Sequence, residues 1–443
     1  MFKTLKNAWR IPELKKKLLF TLLIVVLYRL GANIPVPYVD PQIFQDASAI
    51  TSGTILSFLN LLSGEALGKA TLLALGVSPY ITASIVIQLL TVAIPVLGRW
   101  SKDGEEGRKK INVLTRIITV ALALVTSIGY AFYLNNYDFL IIDDPNFFQY
   151  MVIVLCYCAG AALVMWMAEK INESGIGNGI SIILFANIIA GTFSAVQSIW
   201  SNVFPEGGFR GFNGLGLTFS IIEILVLVGM VMLIVWMSDA ERRIPIQYAK
   251  RVVGRKMYGG QNTNLPIKVN MSGVMPIIFA NSIVAIPATI ISFADPDGSA
   301  KISKWIIKWF NYDTWPYFGV FLVLLIAFAY FYVAISFNPV EVANNIKNNG
   351  GAIPGIRSGR PTVEFIKKVL NRITLVGALL VAFIACFPMI LTNVTSYFPS
   401  VAGMFAALAF GGSSMMIVVG VALETTRELE AQMTLRNYKG FLD

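Results

Sequence analysis

The sequence predicts an all-α polytopic membrane protein with ten transmembrane helices in two inverted halves of five. Three observations lead to this fold class. Of the 443 residues, 56% are hydrophobic and only 14% are charged, and the mean hydropathy is +0.68, whereas a soluble chain carries about 25% charged residues. Long uncharged runs recur from residue 18 to residue 423. Clusters of Lys and Arg separate these runs, and most of these basic residues lie in every second connection between runs.

A helix needs about 20 apolar residues to cross a hydrocarbon core about 30 Å thick. Ten runs between charge clusters have approximately this length, and we expect spans at residues 18–37, 72–97, 117–134, 148–168, 178–200, 215–238, 271–293, 316–337, 373–392 and 401–423. The first run follows six basic residues but lacks a small-residue cleavage site. We therefore expect a retained helix and no signal peptide.

The distribution of Lys and Arg predicts the orientation of these spans, because both residues accumulate in cytoplasmic loops. With ten spans, 29 of the 35 Lys and Arg residues fall on one side of the membrane, five fall on the other, and Arg29 lies inside the first span. This asymmetry places both termini in the cytoplasm. The net charge of +10 is then concentrated on one face, where it can meet anionic lipid headgroups or acidic partners.

Ten spans divide into an N-terminal half, residues 1–200, and a C-terminal half, residues 201–443. An odd number of spans in each half forces opposite orientations if the halves are structural repeats. The two halves show no convincing sequence identity, so this arrangement is a hypothesis from topology.

Few ionisable residues lie within the spans. Arg29 and Glu223 are both near an outer end, and the polar residues at mid-depth are the neutral Gln88, Asn187 and Asn281. Such amides either hold helices together by hydrogen bonds or form a polar patch at a moving interface. An inverted-repeat secondary transporter also explains ten spans, but it predicts ionisable groups at the midplane.

The residue inventory argues against an enzyme. The chain has no histidine and no GxxxxGK[ST] phosphate loop, and its three cysteines lie in apolar runs. A membrane enzyme would also need paired carboxylates, or a nucleophile with its base, at depth. We therefore expect no catalytic residue, no metal and no cofactor, and we expect a partner to supply any work.

Two long basic loops and one short apolar segment complete the pattern. Residues 239–270 contain seven basic residues and Gly-rich turns, which is typical of a projecting hairpin. Residues 338–372 contain GGAIPGIRSGRP, which presents Arg357 and Arg360 for carboxylate or phosphate recognition. Residues 54–71 are apolar but too short to span, so they are either re-entrant or interfacial.

Five motifs resemble those of the SecY family, the channel subunits of the Sec protein translocase. They are GVSPYITAS at 76–84, GIGNGISI at 175–182, RRIPIQYAKR at 242–251, LPIKVN at 265–270 and PGIR at 354–357. Together with the ten spans they cover essentially the whole chain. The resemblance implies a channel for unfolded polypeptide that opens across the membrane and sideways into lipid.

The resemblance also implies roles for individual residues. The plug is a re-entrant helix at about 55–68, with Phe58, Asn60, Leu62, Ser63 and Gly64. The pore ring consists of Ile81, Ile85, Leu184, Ile188, Ile278 and Ile417, where Leu184 replaces the usual isoleucine. Gln88 and Asn281 would face each other at the lateral gate between the second and seventh spans. Arg251, Arg255, Lys256 and Arg357 would dock a motor or a ribosome.

The implied partners follow from the same family. They are the SecE and SecG subunits, the SecA motor ATPase and the ribosome, which would be held through the backbone of its RNA. YidC and SecDF are further partners, signal peptides and nascent chains are the substrates, and membrane lipids surround the protein. The implied location is the bacterial cytoplasmic membrane.

Overall fold

A computed structural model describes residues 2–39, 60, 63–136, 139–141, 145–204, 214–248, 251–253, 256–258, 262–294, 303, 305, 309–310, 314–396 and 412–439. The described helices are α1 (Phe2–Trp9), α2 (Pro12–Gly31), α3 (Ser78–Ala93), α4 (Pro95–Lys102), α5 (Gly104–Asn136), α6 (Phe147–Ser174), α7 (Gly179–Val203), α8 (Gly214–Asp239), α9 (Met275–Ala294), α10 (Trp315–Ser336), α11 (Pro339–Asn348), α12 (Arg360–Ser396) and α13 (Gly412–Lys439).

Each predicted span overlaps one of these helices. By length and composition, five helices in the described part of the chain could cross a membrane: α5, α6, α8, α10 with its continuation α11, and α12. A sixth is obtained if α3 and α4 count as one broken span. The other predicted spans map onto α2, which carries charged residues near both ends, onto α13, which carries them from Glu424 onward, and onto α7 and α9, whose apolar stretches are shorter.

The second predicted span, 72–97, is not one continuous helix. Residues 72–77 form turns, with Gly76 at a φ of +53°, and α3 begins only at Ser78. At its other end α3 stops before Pro95, because a residue that precedes proline is disfavoured in a helix. Ile94 is accordingly extended, and α4 leaves at 103° to α3.

The helices enclose one large apolar core. Its buried side chains come from α2, α3, α6 to α10, α12 and α13. A second apolar cluster joins α5 and α6 to the chain segments around Val36 and Leu67. These two clusters hold the helices that carry the predicted ring and the segment that follows the predicted plug.

The two long basic loops form a single small unit. Strands β1 (Glu241–Tyr248) and β4 (Asn262–Lys268) pair as an antiparallel hairpin, as predicted, and β5 (Gly351–Ala352) from the other loop adds to the far end of β1. Strands β2 (Arg251–Val253) and β3 (Lys256–Tyr258) pair with each other in the same hairpin. A separate core that includes Ile244, Ile267, Ile346 and Ile366 holds this unit against α12.

Candidate functional site

The structure places the six predicted ring residues in one apolar core. They come from four helices: Ile81 and Ile85 from α3, Leu184 and Ile188 from α7, Ile278 from α9, and Ile417 from α13. All six are buried and belong to the same apolar core. The spacing of four residues in α3 and in α7 puts both members of each pair on one helix face. The result is an aliphatic centre between the two halves of the chain.

A cavity of about 270 Å³ adjoins this centre. Four ring residues, Ile81, Leu184, Ile278 and Ile417, contribute to its wall. The remaining lining residues come from α5, from further positions on α3 and α9, and from the segment around Leu67 and Leu75. The wall is almost entirely apolar, so the space offers little to a polar or charged solute.

The described part of the predicted plug begins beside this cavity. Phe58 and Leu62 lie outside the described residues. Asn60 and Ser63 have a helical backbone, whereas residues 64–77 form turns and a bend, interrupted by a β-bridge at Thr71. The Ser63 hydroxyl donates to the Asn60 carbonyl (2.9 Å) and accepts from the Leu67 amide (3.0 Å). The Asn60 side chain accepts from the amide of Gly68 at 2.7 Å. These local bonds fix the shape of residues 60–68.

The chain that follows the plug is fastened to its neighbours. The Tyr130 hydroxyl of α5 donates to the Leu67 carbonyl at 2.7 Å, and the Tyr157 hydroxyl of α6 donates to the Ala70 carbonyl at 3.4 Å. Gly160 of α6 touches the Leu72 carbonyl so closely that a Cβ there would clash. Residues 67–72, which we call the plug base, are therefore a fixed part of the structure.

Arg29 contacts the plug from another side. Its guanidinium donates to the Gly64 carbonyl at 3.1 Å and to the carbonyls of Ala186 and Asn187 in α7 at 2.9 and 3.2 Å. The sequence alone places this charge within a predicted span and does not reveal its role. A single arginine in an apolar helix was the signal, because such a charge needs specific partners.

No hydrogen bond joins the side chains of Gln88 and Asn281 among the described residues. The Gln88 amide donates to Ser84 in its own helix at 3.4 Å, whereas Asn281 lines the cavity, whose wall does not include Gln88. Their helices, α3 and α9, do pack against each other, so the role of the two amides at the lateral gate stays a prediction.

The predicted docking residues lie in the strand and loop unit. Arg357 is exposed, and its carbonyl accepts a hydrogen bond from the Thr362 hydroxyl at 2.9 Å. Arg251 begins β2 and Lys256 begins β3, so the two residues lie at opposite ends of paired strands. Arg255 lies outside the described residues.

Comparisons with known proteins agree with this architecture. A family model described as SecY matches residues 71–426. The protein translocase subunit SecY of Streptomyces galbus is 42% identical over 458 residues, with 100% of both chains covered. The subunit of the same name from Bacillus licheniformis is 39% identical over 444 residues, again with full coverage of both chains.

Solved structures share the fold. A protein-conducting channel matches with a TM-score of 0.62 at 17% identity, over 96% of each chain. Sec61 in a canine ribosome-channel complex matches with a TM-score of 0.58 at 15% identity, also over 96% of each chain. A third match, with a TM-score of 0.59 at 18% identity and 96% of each chain covered, is a SecY protein whose plug domain is described as stabilising the closed channel and maintaining a membrane seal. The predicted fold class is confirmed, and the secondary transporter is not supported.

Proposed function

Because the chain belongs to the SecY family and forms a protein-conducting channel, we propose that the ring, the plug and the α3–α9 boundary control what passes through it. Unfolded polypeptides cross between the two halves of the chain, and apolar segments leave sideways into lipid. Residues 1–200 and 201–443 act as the two halves around this path.

The aliphatic ring supports this proposal most directly. Six buried side chains from four helices belong to one apolar core, and four of them line a cavity of about 270 Å³. An apolar constriction excludes water and ions by dewetting, yet it makes no specific bond to a passing chain. Such a ring closes the channel without selecting one sequence, whereas a charged ring would hold some substrates and stall.

The plug closes the channel beside the ring, and the helix pair α3 and α9 provides the lateral exit. Leu67, a described residue of the predicted plug, lines the cavity, whose wall runs along both helices. An apolar segment moves from the pore to lipid because each Å² of apolar surface removed from water contributes about 25 cal/mol. No covalent chemistry is needed, so the chain works as a channel rather than as an enzyme.

The strand and loop unit is the docking surface for partners that supply the work. Arg357 is exposed, and the sequence between β1 and β4 adds Arg251, Arg255 and Lys256. Guanidinium and ammonium groups bind acidic side chains and RNA phosphates. The partners are a SecA-type motor, the ribosome, and SecE and SecG subunits, with YidC and SecDF as further ones. The protein lies in the bacterial cytoplasmic membrane, and both of its termini face the cytoplasm.

The test replaces three of the six ring residues with serine. A triple variant with Ile85→Ser, Ile278→Ser and Ile417→Ser loses roughly 2 kcal/mol of apolar burial at each position, so resting planar bilayers should conduct small ions. Ile85→Val should stay closed, because it removes only about one methylene. The matched control is Val86→Ser, since Val86 is 37% exposed on the same helix. Unchanged conductance in the triple variant, at normal abundance, would refute the ring assignment.

A further inference from the structure

Arg29 is placed to hold the plug closed. It lies at the end of α2, half-buried, and it reaches two separate parts of the chain at once. One guanidinium nitrogen donates to the Gly64 carbonyl of the plug, and another donates to the carbonyls of Ala186 and Asn187 in α7. Charge-assisted hydrogen bonds of this kind are about twice as strong as neutral ones.

Gly64 is shaped for this contact. Its φ of +68° is a conformation that glycine adopts without strain. A Cβ at this position would lie 2.7 and 2.9 Å from the two terminal nitrogens of Arg29. Any larger residue would therefore displace the guanidinium, so the arginine and the glycine form one fitted pair.

The α7 side of the contact is also held in place. The Asn187 side-chain amide donates to the Tyr28 hydroxyl at 2.9 Å, and both side chains are fully buried. Ala186 and Asn187 lie between the ring residues Leu184 and Ile188 on the same helix. Arg29 thus joins the plug to the helix turn that carries two ring residues.

The plug base differs from this contact. Tyr130 and Tyr157 hold it through neutral hydroxyl groups, and the Leu72 amide donates to the Ile34 carbonyl at 2.8 Å. These bonds do not involve α7 or any ring helix. The base can therefore stay in place while the residues near Gly64 move.

We propose that Arg29 is the latch of the plug, a positioning residue that holds Gly64 against α7 while the ring is closed. This inference rests on the proposed role of residues 55–68 as the plug. A displacement of α7 that widens the ring removes two of the three carbonyl acceptors of Arg29 and breaks the link between the plug and α7. The guanidinium then needs water in their place, because an unpaired charge is costly in apolar surroundings. The latch therefore opens together with hydration of the pore.

The experiment measures resting ion conductance of the full chain, purified with its accompanying subunits and placed in planar bilayers. Arg29→Gln and Gly64→Ala should each raise the conductance about tenfold, since each weakens charged hydrogen bonds. Deletion of residues 55–66 gives the conductance without a plug. Arg116→Gln is the matched control, because Arg116 pairs with Glu169 at 2.8 Å and does not touch the plug; it should leave the conductance unchanged.

The double variant separates a latch from a packing residue. Arg29→Gln should add nothing to the conductance of the deletion variant, because a latch without a plug has no function. An additive increase would overturn the latch, and so would unchanged conductance in both Arg29→Gln and Gly64→Ala while the deletion variant leaks. If the deletion variant does not leak, the proposed plug fails and the latch fails with it. Gly64→Ala keeps the arginine, so it tests the latch even if Arg29→Gln folds poorly.

Discussion

At the residue scale, Asn281 is a buried amide in the mostly apolar helix α9. It is 4% exposed, and its side-chain nitrogen has no hydrogen-bond partner among the described residues. A buried donor without a partner costs roughly 1–3 kcal/mol. The closed arrangement of α3 and α9 therefore carries a built-in cost at this position, which makes the helix pair easier to separate.

Replacing this amide should make the lateral exit harder to open. Asn281→Leu removes the unsatisfied donor, so the closed state gains stability and weakly hydrophobic signal sequences should be exported about tenfold less. Strongly hydrophobic signals should be exported normally. The measurement is a graded series of signal sequences in wild type and variant. Gln88→Leu is the control, since Gln88 is absent from the cavity wall; superimposable curves for Asn281→Leu and wild type would show that Asn281 only packs.

Candidate functional residues could be predicted from the sequence more easily than the residues that they contact. The ring positions followed from motifs that resemble a family, and the structure places all six in one core. The bonds of Arg29 join positions that are 35, 157 and 158 residues apart. No local pattern contains such a pairing.

At the scale of elements, helix positions followed from hydropathy, but helix ends did not. Apolar residues continue through 72–97, so hydropathy alone predicts one span. Backbone chemistry divides it, because Gly76 allows a turn and Pro95 ends α3. The short α4 that results carries Arg99 and Lys102 in its last turn. Turn-forming residues are weaker signals than a hydrophobic run, and here they decide the geometry.

The two basic loops were predicted separately, yet they fold as one unit. Strand β5 pairs with β1 at Gln247 and Tyr248, and residues from both loops share one core. Sequence could not show this, because β5 has only two residues and lies about a hundred positions from β1. The pairing fixes the start of the loop that exposes Arg357.

Charge reversal on this loop should affect docking rather than folding. Arg357→Glu should abolish motor-driven export, while the free energy of unfolding stays within about 0.5 kcal/mol of wild type, as for other exposed substitutions. Export assays and thermal unfolding in detergent measure the two effects. Lys347→Glu is the matched control, because this exposed residue ends α11 and its substitution changes the net charge equally. Normal export by Arg357→Glu would show that docking uses other residues.

At the scale of the whole molecule, the charge distribution and the fold give the same description of the channel. The basic loops meet in one sheet, whereas the predicted plug lies next to the ring and its cavity. Basic residues resist translocation, so the face that carries most of them stays in the cytoplasm. The predicted spans assign 29 of the 35 Lys and Arg residues to the side of the membrane that carries the sheet, so we expect the sheet to meet cytoplasmic partners and the five residues opposite to face outward.

Cysteine labelling tests this orientation. Two variants are made, Ser358→Cys and Lys304→Cys. Ser358 lies beside Arg357 in the strand and loop unit, and Lys304 belongs to the connection between the seventh and eighth predicted spans. A membrane-impermeant maleimide added to intact cells should label Lys304→Cys, whereas Ser358→Cys should react only after lysis, because the basic face is cytoplasmic. The native cysteines, all within predicted spans, set the background in wild type. Labelling of Ser358→Cys in intact cells would show that the orientation is opposite to the predicted one. The docking surface would then face away from any cytoplasmic motor or ribosome.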